Sequence, residues 1–482
     1  MHFRIIIRFV AILILFLSLA MGGPLAVSYF FKDGSTRAIL LSMALTLIGG
    51  LVAYLSVRTE ADRQLSHRDG IAIVTLGWVT AALFGTLPYL FSGVIPDFTN
   101  AYFESISGFT TTGASTLNEI DSIPKGILLW RSLTQWLGGM GIIVLSIAIL
   151  PFLGIGGMQL YKAEIPSPVV DKLKPRISET AKTLWKVYLL ITLIEVALLF
   201  AGGMPLFEAF CHAFCTMPTG GFSTKTASIA HYHSAYFDAV FVVFMLLAGI
   251  NFSLHYKLIK GDFTIFGKDA ECRVFLSVTL LFILMVTLNI HGRIYDSFAT
   301  AFRYAAFQVS SILTTTGFVT TDYDTWPALS KLLLLVCMFL GAMAGSTGGG
   351  MKTMRLMLLF RHGYQQMFRI IHPRAVTTLK LGGKPVPPEI LSTIWGFFIL
   401  YLGLFVLAAF IMAALGLDMV TAIASVAASI GNIGPGLGLV GPVQNYLNIP
   451  LLGKWVLILC MLLGRLEIYT VIVLFLPEYW RK

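Results

Sequence analysis

The sequence predicts an all-α polytopic membrane protein: four span–re-entrant loop–span repeats around one pseudo-fourfold axis, plus two N-terminal spans. The first supporting observation is composition, since 57% of the 482 residues are hydrophobic and 12% are charged, against about 25% charged in soluble domains. The second is that apolar stretches long enough to cross a bilayer run through the whole chain. The third is a short polar motif, ending in glycine, that recurs four times between such stretches.

The recurring motif is a run of threonine and glycine, called here the Thr/Gly loop. Its copies are Thr-Thr-Thr-Gly at 110–113, Thr-Gly-Gly at 219–221, Thr-Thr-Thr-Gly at 314–317 and a weaker Gly-Asn-Ile-Gly at 431–434. An alanine stands twelve residues before each last glycine, and nine residues before it stands Glu104, His212, Gln308 or Ser425. Ordinary polar turns between helices are the alternative, but the shared offsets favour internal duplication.

The segment before each loop is mostly apolar and too short to cross about 30 Å of hydrocarbon. We therefore expect short helices at 99–109, 205–217, 296–313 and 418–430 that enter the membrane and return as extended loops. Irregular backbone at that depth is tolerated where it lines a cavity or is buried in protein. Four such loops around one axis would present carbonyl oxygens that replace a cation's hydration shell. The candidate ion-binding residues are Thr111, Thr112, Gly113, Thr219, Gly220, Gly221, Thr315, Thr316, Gly317, Asn432, Ile433 and Gly434.

The apolar stretches divide the chain into an N-terminal pair of spans and four repeats. The pair, at 9–31 and 38–57, lies in residues 1–68, and a cleaved signal peptide is the alternative for its first member. The repeats are predicted at 69–155, 156–262, 263–375 and 376–482. Their spans, which bring the total to ten, are predicted at 70–91, 126–153, 184–201, 236–256, 274–290, 328–360, 389–415 and 450–477.

The basic residues predict the orientation of the chain. With a cytoplasmic N-terminus, 24 of the 34 lysines and arginines are cytoplasmic, nine are external or at external span ends, and Arg465 alone lies deep within a span. This is the asymmetry of the positive-inside rule, and it places both termini in the cytoplasm. It also accounts for the net charge of +10 without nucleic acid, and it suits contact with anionic lipid or an acidic partner. Cytoplasmic members include Lys172, Lys174, Arg176, Lys257, Lys260, Arg361, Arg369 and Arg374.

Other functional classes fit the sequence poorly. Five cysteines without a Cys-x-x-Cys pair argue against a disulfide or zinc framework, and Cys211 and Cys215 are predicted core residues. The polar residues His212 and Glu104 stand singly, whereas an enzyme would need a cluster at facing positions. A coupled secondary transporter would be expected to show inverted repeats and mid-membrane carboxylates, but these repeats are parallel.

A glycine-rich segment interrupts the last span of the third repeat. Consecutive glycines destabilise a helix by about 1 kcal/mol each relative to alanine, so residues 344–352 should form a loop within the membrane. Because it lies on the cytoplasmic side of the Thr/Gly loops, we predict a movable gate. The alternative is a packing kink like those expected at Gly141 and Gly249, which share the offset of Gly345. The candidate gate residues are Gly345, Ser346, Thr347, Gly348, Gly349, Gly350 and Lys352.

Arg465 is a charged residue in the middle of the final apolar stretch. A charge at membrane depth costs about 3 kcal/mol and marks a functional candidate. Glu467 lies two positions away, on another helix face, and is a poor direct partner. We therefore expect Arg465 to face the central cavity as a barrier to cations, with a structural ion pair to another repeat as the alternative.

The fourfold plan and the motifs Thr-Thr-Thr-Gly, Ala-Gly-Ser-Thr-Gly-Gly-Gly-Met-Lys at 344–352 and Gly-Arg-Leu-Glu at 464–467 resemble the Trk/Ktr/HKT superfamily of potassium transporters. The two N-terminal spans make the chain most similar to the bacterial Trk-type pore subunits. The resemblance covers essentially the whole chain, although Met217-Pro218 is unusual before the second loop.

This resemblance implies K⁺ uptake across the bacterial inner membrane by a homodimer with one pore in each protomer. It implies that residues 345–352 are an intramembrane gating loop and that Arg465 lines the pore. A cytoplasmic regulatory ring would bind NAD(H) and ATP or ADP, so this chain itself would hold no cofactor. A less selective Na⁺ or NH₄⁺ pore and an ion-coupled potassium symporter remain the alternatives.

Overall fold

The computed structural model describes residues 2–57, 66–148, 177–375, 377–381 and 384–481, which are mostly helical. The longer helices are Phe3–Ala20, Gly22–Phe31, Thr36–Leu55, His67–Gly85, Leu87–Ser92, Phe98–Phe109, Lys125–Ala148, Ile177–Ala201, Leu206–Thr216, Ala235–Gly249, Phe252–Ile259, Ala270–Ile290, Phe298–Leu313, Ala328–Leu340, Thr353–Ile371, Pro388–Ala414, Met419–Ile430 and Leu451–Arg465. Short α or 3₁₀ turns are Ser228–Tyr232, Ile265–Lys268, Tyr323–Thr325, Gly438–Val440, Tyr469–Ile472, Val473–Phe475 and Pro477–Trp480. The strands Lys380–Leu381 and Lys384–Pro385 pair antiparallel.

The polarity of the fold is that of a membrane protein. Large apolar side chains face outward, among them Leu288 and Phe410, which are 69% and 70% exposed. Polar side chains of the Thr/Gly loops, such as Thr111 and Thr315, are fully buried. In water this arrangement would be unfavourable, since exposed apolar surface carries a free-energy cost. In a bilayer it is the stable one, which confirms the predicted fold class.

The four short helices are confirmed. They run Phe98–Phe109, Leu206–Thr216, Phe298–Leu313 and Met419–Ile430, within two residues of the predicted bounds. At 1.5 Å per residue a twelve-residue helix reaches about 18 Å, which is too short to cross the membrane. The carboxylates of Asp97 and Asp418 cap the first and fourth by accepting from backbone N–H groups in the first turn.

The two N-terminal spans are also confirmed, at Phe3–Phe31 and Thr36–Leu55. Asp33 lies in the turn between them and accepts a 2.6 Å hydrogen bond from the backbone N–H of Gly126, which ties this pair to the first repeat. Burial raises the pKa of Asp33, but hydrogen bonds from Gly126, Ser28 and Ser35 outweigh it, and the pKa lies below its ordinary value.

Two of the predicted continuous spans are wrong. The segment 236–256 breaks at 250–251 and turns by 104°, while 450–477 breaks at 466–468 and turns by 113°. In the first break, Asn251 caps the following helix through Ser253 N, and Phe252 N donates to Gly345 O at 3.1 Å. In the second, Glu467 adopts a positive φ of 57°.

These breaks change the count of spans. Within the described ranges, six helices are long and apolar enough to cross a membrane, or eight if each bent pair is one span. The count of ten spans stays a prediction, because 126–153 extends beyond the described residues and 328–360 is itself predicted to contain a break. The predicted break in the third repeat is present, because Ala328–Leu340 and Thr353–Ile371 flank a non-helical segment.

Several predictions fall beyond the described residues. These are the end of the span at 126–153, the repeat boundaries at 155/156 and 375/376, and the basic residues Lys172, Lys174 and Arg176.

Candidate functional site

The four Thr/Gly loops form a closed ring in which each last glycine packs against the next loop. A β-carbon built on Gly113 would lie 2.1 Å from Gly220 O, and one on Gly221 would lie 2.0 Å from Thr316 O. A β-carbon built on Gly317 would lie 1.9 Å from Ile433 O, and one on Gly434 would lie 2.7 Å from Thr112 O. The last of these contacts closes the ring at the first loop. Each contact is to the carbonyl one residue before the next glycine, so the ring is pseudo-fourfold.

The backbone conformation repeats with the ring. The residue two before each glycine has a positive φ, between 51° and 61° at Thr111, Thr219, Thr315 and Asn432. The glycines themselves have φ values between 75° and 96°, a region that β-carbons resist. Positive and non-positive φ values thus alternate over the last three residues of each loop.

Each loop is held to the end of its own short helix by the same two hydrogen bonds. The N–H one residue before the glycine donates at 2.8 Å to the carbonyl six residues before it in all four loops, as in Thr112 N to Ser107 O. The N–H two residues before the glycine donates to the carbonyl five residues before the glycine, at 2.8 to 3.2 Å, as in Thr111 N to Gly108 O. The equivalence of these distances shows that the loop geometry is built locally, four times over.

The short helices all end at the ring. Their last residues, Phe109, Thr216, Leu313 and Ile430, immediately precede the loops. A helix C-terminus carries a partial negative charge of about half an elementary charge, so four of them favour a cation on the axis. On the opposite side of the ring an open cavity of about 80 Å³ touches all four glycines.

In the first three repeats, the polar residue nine positions before the ring glycine forms a hydrogen bond with the segment that follows the loop. Glu104 accepts from Thr116 N at 2.9 Å, His212 Nε2 bonds Ser223 Oγ at 3.0 Å, and Gln308 donates to Thr320 Oγ1 at 3.1 Å. Glu104 also pairs with buried Arg131 at 2.7 Å. The fourth repeat departs, since Ser425 bonds its own helix at Ala422 O. Comparison of the four repeats in the sequence identified these positions by their shared offset, and the hydrogen bonds explain why most of them are polar.

The fourth loop is fastened differently. Asn432 Nδ2 donates to Thr112 Oγ1 at 3.0 Å and to Met461 O at 2.9 Å. The amide thus joins the fourth loop to the first, where the other three copies carry threonine.

The second loop also differs from its neighbours. The helix Lys125–Ala148 contributes Gln135, whose Nε2 donates to Gly220 O at 2.7 Å and whose Oε1 accepts from Phe222 N at 3.1 Å. The unusual Met217-Pro218 precedes this loop, and Pro218 packs against Gly139 of the same helix. Sequence reasoning missed Gln135, because a glutamine within a span has no motif of its own.

The glycine-rich loop, 341–352, lies directly against the helix-terminal side of the ring. Thr347 Oγ1 donates to Met217 O at 2.8 Å, and Gly349 N donates to Thr315 Oγ1 at 2.7 Å. A β-carbon on Gly349 would lie 2.3 Å from Gly431 O. The loop therefore touches three of the four Thr/Gly loops or their helix ends, and Thr347 at its tip is fully buried.

Side chains from other segments hold this loop in place. Glu271 Oε1 accepts from Ala344 N at 2.8 Å and from Met354 N at 3.1 Å, so one carboxylate binds both limbs of the loop. Lys352, which has a positive φ of 63°, folds back to donate to Gly348 O. Neither the Glu271 clamp nor the backbone strain at Lys352 was predicted.

Arg465 contacts the glycine-rich loop itself. It is 2% exposed, and its Nη1 donates to Thr347 O at 2.6 Å. Its Nε and Nη2 are buried without a hydrogen-bond partner in the described part of the chain. Glu467 instead pairs with Arg355, at the start of the helix that follows the loop.

The structure thus brings the predicted ion-binding residues into one ring, and the predicted gate residues into one loop beneath it. It places Arg465 at the tip of that loop, where its charge and its hydrogen bond act at the same point.

Comparison with known proteins gives matches over the whole chain. The family model TrkH, described as a cation transport protein, matches residues 35–482. The chain is 44% identical to the Trk system potassium uptake protein TrkH of Salmonella typhimurium, with 100% of each covered. It is 36% identical to TrkG of Escherichia coli, covering 100% of this chain and 99% of that protein. The crystal structure of the potassium transporter TrkH from Vibrio parahaemolyticus matches with a TM-score of 0.92 and 39% identity over 100% of both chains.

Proposed function

The chain belongs to the TrkH family of cation transport proteins, and we propose that it takes up potassium ions through a gated, carbonyl-lined filter. The observation that carries the proposal is the closed ring, in which each last glycine packs against a carbonyl of the next loop. At the four ring glycines there is no space for a β-carbon, so the backbone of each loop lies directly against the next and its carbonyl oxygens are the proposed ligands of a passing ion.

The filter residues would act by replacing water around the ion. The proposal places the carbonyl oxygens of successive loop residues toward the axis, in a ring whose loops share the same backbone conformation. A monovalent cation exchanges hydration oxygens for carbonyl oxygens at little net cost when their number and spacing match the ion. The C-termini of the short helices add negative potential where the ion has left water.

The glycine-rich loop 341–352 would be the gate. Its tip lies against Met217 and Thr315, and Arg465 fixes it through Thr347 O. Withdrawal of the tip would open the path and would release the guanidinium from its bonded position. The packing-kink alternative is disfavoured because this segment is a twelve-residue loop in contact with the ring.

The position of the next helix supports control by a cytoplasmic partner. Thr353–Ile371 follows the loop directly, and its outer half is exposed, with Phe360 and Ile370 at 75% and 80%. Force applied to this helix would act on the loop through Lys352 and Arg355. We propose that a cytoplasmic regulatory ring, which itself binds NAD(H) and ATP or ADP, contacts this face. We also propose that the protein is a homodimer with one pore in each protomer.

The charge distribution supports the bacterial inner membrane as the location, with both termini cytoplasmic. The exposed basic Arg361 and Arg369 lie on the same cytoplasmic helix that follows the gate.

A second candidate function is a less selective pore for sodium or ammonium. It is favoured by the fourth loop, where Asn432 and Ile433 replace the threonines of the first and third. An ion-coupled symporter is the remaining alternative.

Ion flux into liposomes containing the purified protein separates these functions. We expect downhill K⁺ and Rb⁺ entry well above Na⁺ entry, raised by the regulatory ring, and without stoichiometric movement of H⁺ or Na⁺. Equal entry of Na⁺ or NH₄⁺ would favour the less selective pore. Uptake of K⁺ that stops when H⁺ and Na⁺ gradients are removed would favour a symporter.

A further inference from the structure

The second Thr/Gly loop lacks a side chain that the other three possess. The residue before the last glycine is Thr112, Thr316 or Ile433 in those loops, but it is Gly220 here. In the first and third loops this threonine bonds a second threonine of the same loop at 2.8 Å, as Thr112 does with Thr110. The second loop therefore needs another source of packing at the same place.

Gln135 occupies that place. A β-carbon built on Gly220 would lie 2.4 Å from Cδ, 2.5 Å from Oε1 and 2.8 Å from Nε2 of Gln135. These are the three nearest atoms, and Gln135 is fully buried. The amide thus fills the volume that a side chain at residue 220 would take.

The same amide holds the backbone on both sides of the ring glycine. Its Nε2 donates to Gly220 O at 2.7 Å, and its Oε1 accepts from Phe222 N at 3.1 Å, so the two bonds span Gly221. Gly220 O is also the atom against which Gly113 of the first loop packs. Gln135 therefore fixes a carbonyl at the junction of two loops.

This device belongs to one repeat. The residues at the same distance after the other ring glycines are Val243, Phe339 and Val456, whose side chains cannot make these hydrogen bonds. One helical turn before Gln135, Arg131 donates to Ser223 O at 2.9 Å and stacks over the Phe222 ring at 3.5 Å. A single polar face of Lys125–Ala148 thus grips residues 220–223.

We propose that Gln135 is a positioning residue of the filter, which supplies the second loop with the packing and hydrogen bonding that Gly220 omits and so maintains K⁺ over Na⁺ discrimination. The inference rests on the proposed function of the ring. Its physical basis is that discrimination depends on carbonyl positions, and among the described residues Gln135 is the hydrogen-bond donor to Gly220 O.

The test begins with Gln135→Met, which keeps the side-chain length and removes both hydrogen bonds. We expect the K⁺/Na⁺ flux ratio in liposomes to fall about tenfold, the size of one to two lost hydrogen bonds. Gln365→Ala is the matched control, because Gln365 also donates to a backbone carbonyl, Thr377 O at 2.7 Å, but lies away from the ring. Its ratio should equal that of the wild type, and thermal stability is measured for every variant.

A transplanted side chain sharpens the test. Gln135→Ala should lower the ratio, and Gln135→Ala combined with Gly220→Thr should recover at least threefold of that loss, because the new side chain fills the vacated volume as in the other loops. An unchanged ratio in folded Gln135→Met and Gln135→Ala proteins would overturn the role of Gln135. A double variant no more selective than Gln135→Ala would show that Gln135 does not stand in for the side chain that Gly220 lacks. A wild-type protein that does not prefer K⁺ would instead overturn the proposed function.

Discussion

The Thr/Gly loops and the glycine-rich loop are built from similar residues, but they are held in different ways. Both are buried, and both rely on positive φ angles, as at Gly113 and Gly345. The Thr/Gly loops are fixed by backbone bonds to their own helices, repeated at 2.8 Å in all four copies. The glycine-rich loop is held by other segments of the chain. Side chains of Glu271, Thr315 and Arg465 contribute, and so do backbone bonds to Gly249 and Phe252.

This difference separates a rigid element from a releasable one. Backbone bonds within a continuous helix–loop unit break only if the helix end unfolds, so the ring keeps its dimensions. Side-chain bonds between segments can be exchanged one by one, each with a net free energy of about 1 kcal/mol. The proposed filter and the proposed gate thus differ in how they are held, although both are rich in glycine and threonine.

The largest effect should follow from disturbing the rigid element. Gly113→Ser places a β-carbon 2.1 Å from Gly220 O at a φ of 80°, and strain of about 3 kcal/mol should lower the K⁺/Na⁺ flux ratio about a hundredfold. Gly93→Ser is the control, since Gly93 has a φ of 72° but no atom within 4 Å of its added carbon. Unchanged selectivity in a folded Gly113→Ser protein would show that this ring is not the filter.

Next in size is removal of the releasable element. Deletion of residues 346–349 removes the contacts of Thr347 and Gly349 with the ring, and K⁺ flux without the regulatory partner should rise about thirtyfold, as expected for a loss near 2 kcal/mol. The K⁺/Na⁺ ratio should stay as in the wild type. A well-expressed deletion with equally low flux would identify the loop as a structural kink.

A smaller effect is expected at Arg465, where charge and structure can be separated. A cation 4 Å from the guanidinium is repelled by about 1 kcal/mol in water and about 4 kcal/mol at an effective dielectric of 20. Arg465→Ala should therefore raise flux about tenfold, while Arg465→Lys should retain most of the barrier.

Liposome flux and thermal unfolding of both variants provide the measurement, with exposed Arg361→Ala as the charge-matched control. Slower flux in Arg465→Ala together with a large loss of stability would show a purely structural role.

The smallest effect should come from Glu271→Gln. The neutral amide oxygen can still accept from Ala344 N and Met354 N, but bonds to a charged acceptor are about twice as strong. Flux without the partner should rise about threefold, with selectivity unchanged, and Glu389→Gln on the exposed start of Pro388–Ala414 should have no effect. A change in selectivity without a change in flux would place Glu271 in the filter rather than at the gate.

The sequence was most informative where a local pattern determines a local structure. The short helices and their loops follow from apolar length, glycine and the repeated offsets around Glu104 and Gln308. The bends at 250–251 and 466–468 could not be predicted, because they depend on distant contacts such as Phe252 N to Gly345 O. The same holds for Glu271 and Gln135, whose partners are more than 70 residues away along the chain.

The contact between the fourth loop and the first has a consequence for biosynthesis. The hydrogen bond from Asn432 to Thr112 joins residues separated by 320 positions. At 5–20 residues per second, ribosomes need on the order of tens of seconds to make that stretch. During this interval the first loop is already in the membrane without the neighbour that completes it. The nascent protein therefore cannot form its ring until the last quarter of the chain has been inserted, and a prematurely terminated chain leaves three loops facing an open side.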